Sequence, residues 1–184
     1  MNKRKQIAIV TGGAKRIGAS ICRRLHKANI NLIIHYKTSE KEAISLRDEL
    51  NEKRKNSVSI IQADLLDPKS YSKIINEAIK IYGQLNFLIN NASTYYPTTI
   101  NQIDQLNWEN LVGSNLKAPL FLCKEAAPFL KENYGSIINI TDAHIAKPKK
   151  NYIIYSIAKA GLTTLTKSLA QELGPEIRVN AIAP

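Results

Sequence analysis

Tyr155 and Lys159 stand four residues apart in the segment YSIAK, a spacing that puts both side chains on one face of a helix. A phenol ordinarily has a pKa of about 10, so it exchanges protons poorly near neutral pH. A neighbouring ammonium group stabilises the phenolate and lowers that pKa towards the working pH of an enzyme. The pair predicts acid–base chemistry, although such pairs also occur on exposed helix faces and mean little alone.

Other polar residues follow apolar runs that read as strands. Asp142 comes just past SIINI, Asp64 lies in QADL at the end of the third run, and Asn90 to Ser93 (NNAS) end the fourth. Asn115 lies in SNLKAP, on a predicted helix. The carboxyl ends of parallel strands meet at one edge of a sheet, so the fold would gather these groups around the Tyr–Lys pair. An alternative for Asp142 is that it only caps a helix.

A glycine-rich turn, TGGAKRIG, follows the first apolar run, IAIV. Gly12 and Gly13 suit a tight turn, and Gly18 would let the next helix approach the sheet. The free amides of a helix N-terminus bind phosphate, so the turn predicts a nucleotide site. Arg16 stands where such turns usually carry glycine. The alternative is an ordinary glycine-rich turn.

The end of the second apolar run selects between cofactors. An NAD site usually has an acidic residue there, but this chain has Lys37, Thr38 and Ser39 in the segment IIHYKTSE. Together with Arg16 these residues offer two cations and two hydroxyl groups to a 2′-phosphate. The sequence therefore predicts NADP(H) rather than NAD(H), unless the segment is only a solvated basic loop.

Short apolar runs alternate with helical patterns along the whole chain. The helical stripes are Ile17, Ile21 and Leu25; Ala43, Leu46 and Leu50; Ile74, Ile75, Ala78 and Ile79; and Leu162, Leu165, Leu169 and Leu173. The predicted strands are Ile7–Val10, Leu32–His35, Val58–Gln62, Phe87–Asn90, Ser136–Ile140 and Val179–Ile182. This alternation predicts an α/β fold of the Rossmann type, a doubly wound parallel sheet in three α/β/α layers, with residues 1–184 as one domain.

The net charge of +11 comes from 26 basic and 15 acidic residues. The basic residues are scattered and lack interleaved aromatics, which argues against nucleic acid as the partner. No apolar run has the roughly 18–20 residues of a membrane helix, and the start of the chain lacks a signal-peptide pattern. Cys22 and Cys123 read as free thiols, so we expect a cytoplasmic protein. The three histidines show no metal-ligand spacing, and Trp108 reads as a packing residue.

These motifs together resemble the short-chain dehydrogenase/reductase family, from the glycine turn to the segment RVNAIAP. Two positions differ from the usual family pattern, since Arg16 replaces the middle glycine and Asp142 replaces a serine. Both departures are similar to those of the pteridine reductases. The segments NNASTYYPT and HYKTS are also similar to the pterin-binding and phosphate-binding segments of that subgroup.

The resemblance implies a role for each matching position. Tyr155 would donate the proton, with Lys159 as its activator, and Asp142 would orient Tyr155 and help to protonate the pterin. Asn115 would hold a helix and a water linked to Lys159. Tyr95 would stack on the pterin, and Arg16 would reach both the cofactor phosphates and the pterin. The implied cofactor contacts are Gly12, Arg16, Ile17, Gly18, Lys37, Thr38, Ser39, Asp64, Leu65, Asn91, Ala92, Ser93 and Lys159; the implied substrate contacts are Arg16, Ser93, Tyr95, Asp142 and Tyr155.

The implied reaction is hydride transfer from NADPH to a C=N bond of a dihydropteridine, in an enzyme that the resemblance makes a homo-oligomer. The family pattern continues beyond Pro184, so we expect a C-terminally incomplete domain without the last strand and the substrate lid. Two alternatives stay open. One is a short-chain reductase of another carbonyl substrate, and the other is a shortened, non-catalytic nucleotide-binding remnant. Tyr95 also has an alternative reading as a packing residue.

Overall fold

The computed structural model describes residues 5–184, so residues 1–4, in which the sequence predicts no signal peptide, lie outside the described residues. Six parallel strands form one sheet: β1 (Ile7–Val10), β2 (Asn31–Tyr36), β3 (Val58–Gln62), β4 (Phe87–Asn90), β5 (Ser136–Ile140) and β6 (Arg178–Ile182). Their order is β3-β2-β1-β4-β5-β6. The predicted doubly wound parallel sheet is confirmed, with β2 and β6 slightly longer than the sequence predicted.

The described chain has six α-helices: α1 (Arg16–Lys27), α2 (Glu40–Lys53), α3 (Lys69–Tyr82), α4 (Gln105–Val112), α5 (Ala118–Lys131) and α6 (Ile153–Leu173). Five of them cover the two faces of the sheet, and α4 packs against the start of α6. The apolar faces of α1 and α2 pack with one side of β1 and β2. Those of α3 and α5, with the end of α6, pack on the other side. The result is the three-layer arrangement that βαβ crossovers produce.

The strands differ in how far they are buried. Every residue of β1 is buried, which explains why the run IAIV shows no alternation of apolar and polar residues. In β6 only Val179 is buried. The central strands β1 and β2 are thus buried below the site, while β6 lies at an edge of the described sheet.

The predicted stripe on α1 is wrong in part. The buried face of the helix consists of Gly18, Ala19, Cys22 and His26, whereas the Ile17 side chain is 51% exposed. The first turn of α1 comes so near the glycine-rich turn that a Cβ at Gly18 would overlap the Gly12 carbonyl oxygen, so glycine is required there. Ile17 is thereby left at the cleft above the sheet. On α6, Leu162 is buried as predicted, and the later leucines of its stripe are half-buried.

A five-residue π turn, Gly113–Lys117, joins α4 to α5 and carries Asn115. Such turns inside helical segments often mark functional sites, because they move one side chain out of helical register. At the start of α4, the Asp104 carboxylate accepts a hydrogen bond from the Asn107 amide at 2.7 Å. Trp108 in α4 is 42% exposed, so its assignment to packing is wrong in part.

No helix within residues 5–184 is both long enough and apolar enough to cross a bilayer.

Candidate active site

The strand order reverses between β1 and β4, which lie side by side although the chain visits β2 and β3 between them. A ligand cleft is expected above the carboxyl ends of the strands at this point. Two adjoining clefts lie there, of about 460 Å³ and about 350 Å³. Tyr95 contributes to both. We call the first the cofactor cleft and the second the catalytic cleft.

The glycine-rich turn forms one wall of the cofactor cleft. Gly12 has φ +58°, and a Cβ added there would lie 2.9 Å from the Ala92 Cα. A Cβ on Gly18 would overlap the Gly12 carbonyl oxygen. The first turn of α1 contains no acidic residue, and the Lys15 side chain does not cap the helix. Its amides are therefore available to an anion, and the turn fits the phosphates of a dinucleotide.

Arg16 is exposed and lines the cofactor cleft. Its φ of +48° lies in the left-handed region, which favours glycine. A long cationic side chain is thus present at a backbone conformation that is unfavourable for any residue except glycine. Such strain persists only where the surrounding structure holds it, and it is common at functional sites. The placement suits a role towards anionic ligands better than a role in packing.

Lys37 follows β2, and its Nζ lies 2.8 Å from Oδ2 of Asp64, which follows β3. Burial opposes ionisation of Asp64, but hydrogen bonds from Lys37 and the Leu66 amide outweigh it and hold its pKa below the usual value. Both charges line the cofactor cleft. Thr38 and Ser39 lie in the loop before α2 and do not line it, so the structure does not bring these two hydroxyls to the predicted site.

The segment after β4 is tied to the glycine-rich turn. The Asn91 side-chain amide donates to the carbonyl oxygens of Thr11 and Gly12 at 2.9 and 3.0 Å. The Thr11 hydroxyl accepts from the backbone amides of Asn91 and Ala92, both at 3.0 Å. The cofactor cleft is then lined by Asn91, Ala92, Leu65 and Ser93, four positions that the family resemblance implied as cofactor contacts.

Asn115 is fully buried and joins the π turn to the segment after β4. Its Oδ1 accepts from the Ser93 hydroxyl at 2.6 Å, and its Nδ2 donates to the carbonyls of Leu111 and Thr94, both at 2.9 Å. These bonds fix Ser93 at the cleft. The expected water link from Asn115 to Lys159 stays a prediction.

Asp142 has two roles, one for each of its oxygens. Oδ1 accepts from the His144 amide at 2.7 Å and caps the short 3-10 turn Ala143–Ala146. Oδ2 accepts from the Tyr155 hydroxyl at 2.7 Å. The cap and the contact with Tyr155, which the sequence left as alternatives, are therefore both present in one carboxylate.

Lys159 is 2% exposed, and its Nζ donates to the Ile140 carbonyl at 2.8 Å. Burial lowers the pKa of Lys159 to about 8, although the Asp142 charge opposes that shift. The ammonium lies 5.8 Å from the centre of the Tyr155 ring, within the range of a cation–π contact.

The expectation that Tyr155 has a lowered pKa is wrong for this structure. Burial raises the pKa of Tyr155, and the hydrogen bond to Asp142 and the charge of Asp142 raise it further. The Ser93 hydroxyl acts in the opposite direction. Tyr155 consequently keeps its proton through neutral pH, which suits a donor in a reduction.

Tyr95 is 53% exposed at the boundary of the two clefts. Its ring stacks on that of Tyr152 at 4.6 Å between centroids and meets the Tyr155 ring edge-on at 4.8 Å. Lys149 lies above the Tyr152 ring at 4.8 Å and within 3.5 Å of the Tyr95 hydroxyl. Tyr95 thus packs against both Tyr152 and Tyr155 and is still half-exposed where the two clefts meet.

Arg16 and Asp142 do not line one cavity. Arg16 lines the cofactor cleft and Asp142 the catalytic cleft, with Tyr95 between them. A ligand that touches both groups must span the junction at Tyr95. Within residues 5–184, no cluster of three or more His, Cys, Asp or Glu residues could hold a metal ion. Both cysteines are buried, and burial raises the pKa of each to about 12.

Three residues at the site escaped sequence reasoning. Tyr152 precedes Tyr155 by one helical turn, a spacing that could have signalled a second aromatic in the cleft. His144 follows Asp142 closely and bonds to it. His35 lies at the end of β2 under the glycine-rich turn, and its apolar surroundings in the sequence gave no signal.

The comparisons with known proteins agree with this geometry. A family model described as short chain dehydrogenase matches residues 6–184. Pteridine reductase 1 from Leishmania tarentolae is 32% identical over 217 residues, which cover 97% of this chain and 75% of the relative. The 3-oxoacyl-(acyl-carrier-protein) reductase FabG from Staphylococcus aureus is 32% identical over 184 residues, which cover 99% of this chain and 74% of the relative. With the sheet order, the glycine-rich turn and the Tyr155–Lys159 pair in place, the chain belongs to the short-chain dehydrogenase family.

Proposed function

We propose that the protein is an NADPH-dependent reductase that acts on a C=N bond of a pterin, as a dihydropteridine is converted to a tetrahydropteridine. The observation that carries this proposal is the 2.7 Å hydrogen bond between the Tyr155 hydroxyl and Asp142. A carboxylate bonded to the proton-donating phenol suits the protonation of a ring nitrogen, where a serine hydroxyl would suit a carbonyl oxygen.

The residues of the cofactor cleft fit NADPH. The amides at the start of α1 would hold the diphosphate, and Arg16 with Lys37 would hold the 2′-phosphate. Lys37 would then leave Asp64, at little cost because their side chains are 54% and 43% exposed. When bound, the nicotinamide supplies a hydride, that is, two electrons and one hydrogen, to the substrate carbon.

The residues of the catalytic cleft complete the reaction. When the substrate carbon takes up the hydride, negative charge develops on the neighbouring nitrogen. That nitrogen receives the proton of the Tyr155 hydroxyl. The C=N double bond becomes a C–N single bond with one new C–H and one new N–H bond. Lys159 lies beside the phenolate that remains, and solvent returns the proton to Tyr155. Tyr95 would hold the flat ring of the pterin at the junction of the clefts, with Arg16 near its polar edge.

An assay with two classes of substrate tests the proposal. The protein is supplied with NADPH and either dihydrobiopterin or a simple ketone, and oxidation of NADPH is followed. We expect turnover of the pterin, and we expect Asp142→Ser to reduce it by at least about tenfold, as for loss of a positioned acid–base partner. Turnover of the ketone without turnover of the pterin would contradict the proposal.

A matched control separates the two roles of Asp142. Asp104 also caps a helix through its carboxylate, but it lies away from both clefts. Serine is a good N-cap, so Asp142→Ser and Asp104→Ser should cost similar, small amounts of stability. Only Asp142→Ser should reduce pterin turnover. Equal losses of activity would indicate that the cap, not the contact with Tyr155, matters.

A second candidate is a reductase of a 3-oxoacyl or another carbonyl substrate. It is favoured by the relative from Staphylococcus aureus, which is as similar to this chain as the pteridine reductase. Under this alternative the Asp142→Ser variant keeps or gains activity on an acetoacetyl thioester. The same assay therefore distinguishes the two candidates.

A further inference from the structure

The His35 ring bridges the glycine-rich turn and the end of β3. His35 is 2% exposed near the end of β2. Its Nδ1 lies 3.2 Å from the backbone nitrogen of Gly12, and its Nε2 lies 3.0 Å from the carbonyl oxygen of Ala63. The ring therefore touches the segments that follow β1 and β3, which are the two neighbours of its own strand.

The chemistry of the two partners fixes the protonation state of the ring. A carbonyl oxygen only accepts hydrogen bonds, so Nε2 must carry a proton. A backbone amide only donates, so Nδ1 must be unprotonated. The neutral ring with its proton on Nε2 satisfies both contacts, and no other form of histidine does.

The two contacts fix backbone that the sheet alone leaves less constrained. Gly12 has φ +58° and has left the ladder of β1, and the Gly13 amide next to it donates to the His35 carbonyl at 2.9 Å. On the other side the Ala63 amide donates to the Tyr36 carbonyl at 3.1 Å. Asp64 follows Ala63 directly and lines the cofactor cleft. Ring and backbone together thus clamp the turn and the base of Asp64 to the end of β2.

We propose that His35 is a positioning residue for the cofactor, which holds the Gly12 peptide and the Ala63–Asp64 segment in register across the cofactor cleft. The inference rests on the proposed binding of NADPH at that cleft. It assigns His35 no contact with the reacting atoms. The role requires the neutral ring, so it disappears when the ring takes up a second proton.

The surroundings of His35 keep the ring neutral at physiological pH. Burial lowers the pKa of His35 to about 4, while the hydrogen bond to Ala63 and the charge of Asp64 oppose that shift. The other charged groups at the same cleft are Lys15 just before α1, Arg16 at its start and Lys37 after β2. Cys22 below the turn is un-ionised, because burial raises its pKa to about 12. Protonation of the ring, as the pH falls through about 4, would break the bond from the Gly12 amide.

Three variants test the inference through NADPH affinity rather than through turnover. His35→Leu removes both contacts and His35→Gln can restore a donor and an acceptor on one side chain. His26→Leu is the matched control, since His26 is also buried, bonds to the Ser57 hydroxyl at 2.8 Å, and lies at the far end of α1. We expect His35→Leu to weaken NADPH binding by about 10- to 100-fold, the loss of one or two buried hydrogen bonds. His35→Gln should recover part of the affinity, and His26→Leu should leave it within about twofold.

Two further readouts keep the test decisive. Hydrogen exchange of the Gly12 and Gly13 amides in the cofactor-free protein should accelerate in His35→Leu but not in His26→Leu. His35 takes up its second proton as the pH falls through about 4, so the NADPH affinity of the unaltered protein should fall more steeply there than that of His35→Gln, which shares the titration of the cofactor phosphate. If His35→Leu fails to fold, the inference is tested by comparing the pH dependence of NADPH affinity in the unaltered protein and in His35→Gln.

Unchanged affinity and unchanged exchange in His35→Leu would overturn the inference, as would an equal loss in His26→Leu. NADPH binding without pterin turnover would defeat the proposed substrate and leave this inference standing. Failure of the unaltered protein to bind NADPH would defeat both.

Discussion

The two halves of the sheet bring polar groups to the cleft in different environments. After β2 and β3 the charged side chains are exposed, as in the Lys37–Asp64 pair, whose side chains are 54% and 43% exposed. After β4 and β5 the polar groups belong to a buried network, in which Asn115 is fully buried and Lys159 is 2% exposed. The first half presents charge to solvent, and the second half buries polar side chains that are hydrogen-bonded within the protein, as Asn115 and Lys159 are.

This difference predicts how each half responds to substitution. An exposed ion pair contributes about 0–1 kcal/mol and is screened by salt. Removing one partner of a buried hydrogen bond costs about 1–3 kcal/mol, because the other partner stays buried without compensation. Single substitutions should therefore have their largest effects around Tyr155 and smaller, salt-dependent effects around Lys37.

The largest effect is expected for Tyr155→Phe. The variant keeps the ring and its edge-on contact with Tyr95 but removes the only proton that the phenol can donate. We expect kcat for NADPH-dependent reduction to fall by about 10²- to 10⁴-fold, the usual contribution of a positioned acid, with NADPH affinity little changed. Steady-state kinetics and a direct binding measurement check this expectation.

Tyr152→Phe is the control for that experiment, since Tyr152 lies one helical turn away and stacks on Tyr95. Its loss of a hydroxyl should change kcat by less than about tenfold. Equal losses in the two variants would show that the aromatic cluster, rather than the phenolic proton, limits the rate.

A medium effect, visible in the pH profile, is expected for Asp142→Asn. The Asp142 charge and its hydrogen bond raise the pKa of Tyr155, after burial, and an amide removes the charge. A phenol with a lower pKa loses its proton at lower pH, so the alkaline limb of kcat should move to lower pH. Activity at pH 7 should fall by about 3- to 30-fold. The Asp142 charge also raises the pKa of Lys159, which burial lowers to about 8, so loss of that charge moves both groups in the same direction. An alkaline limb that stays in place would mean that Asp142 acts on neither Tyr155 nor Lys159.

The smallest effect is expected for Lys37→Met. Loss of one exposed cation should weaken NADPH binding by no more than about tenfold, and less at high salt. NADH, which lacks the 2′-phosphate, should bind as before. Titrations with both cofactors at low and high ionic strength measure this. A loss larger than that of Tyr155→Phe, or one that is insensitive to salt, would break the proposed contrast between the halves.

The fold was predictable because strands buried on both faces are continuous apolar runs. IAIV and SIINI could be placed to within a residue. The helix face of α1 was less predictable, because the close approach of Gly18 to the turn, and not the position of the largest apolar residues, decides which side faces the sheet. Ile17 satisfied the periodicity and is nonetheless exposed.

The candidate site was predictable where one residue type implies one chemistry, as for Tyr155, Lys159 and Asp142. The sequence could not give the sign of the pKa shift on Tyr155, which depends on burial and on which neighbour lies nearer. Lys159 donates to a backbone carbonyl, whereas Asp142 contacts the hydroxyl directly. The role of His35 was also hidden, because it depends on two backbone atoms that lie far from His35 in the sequence.

Arg16 has a consequence for the evolution and engineering of this chain. Its backbone lies at φ +48°, where a side chain costs roughly 1–2 kcal/mol relative to glycine. Replacing it with glycine would relieve the backbone and remove a cation from the cleft in one step. A selection for thermal resistance would then favour the very change that a selection for ligand binding rejects, so the two selections oppose each other at this one residue.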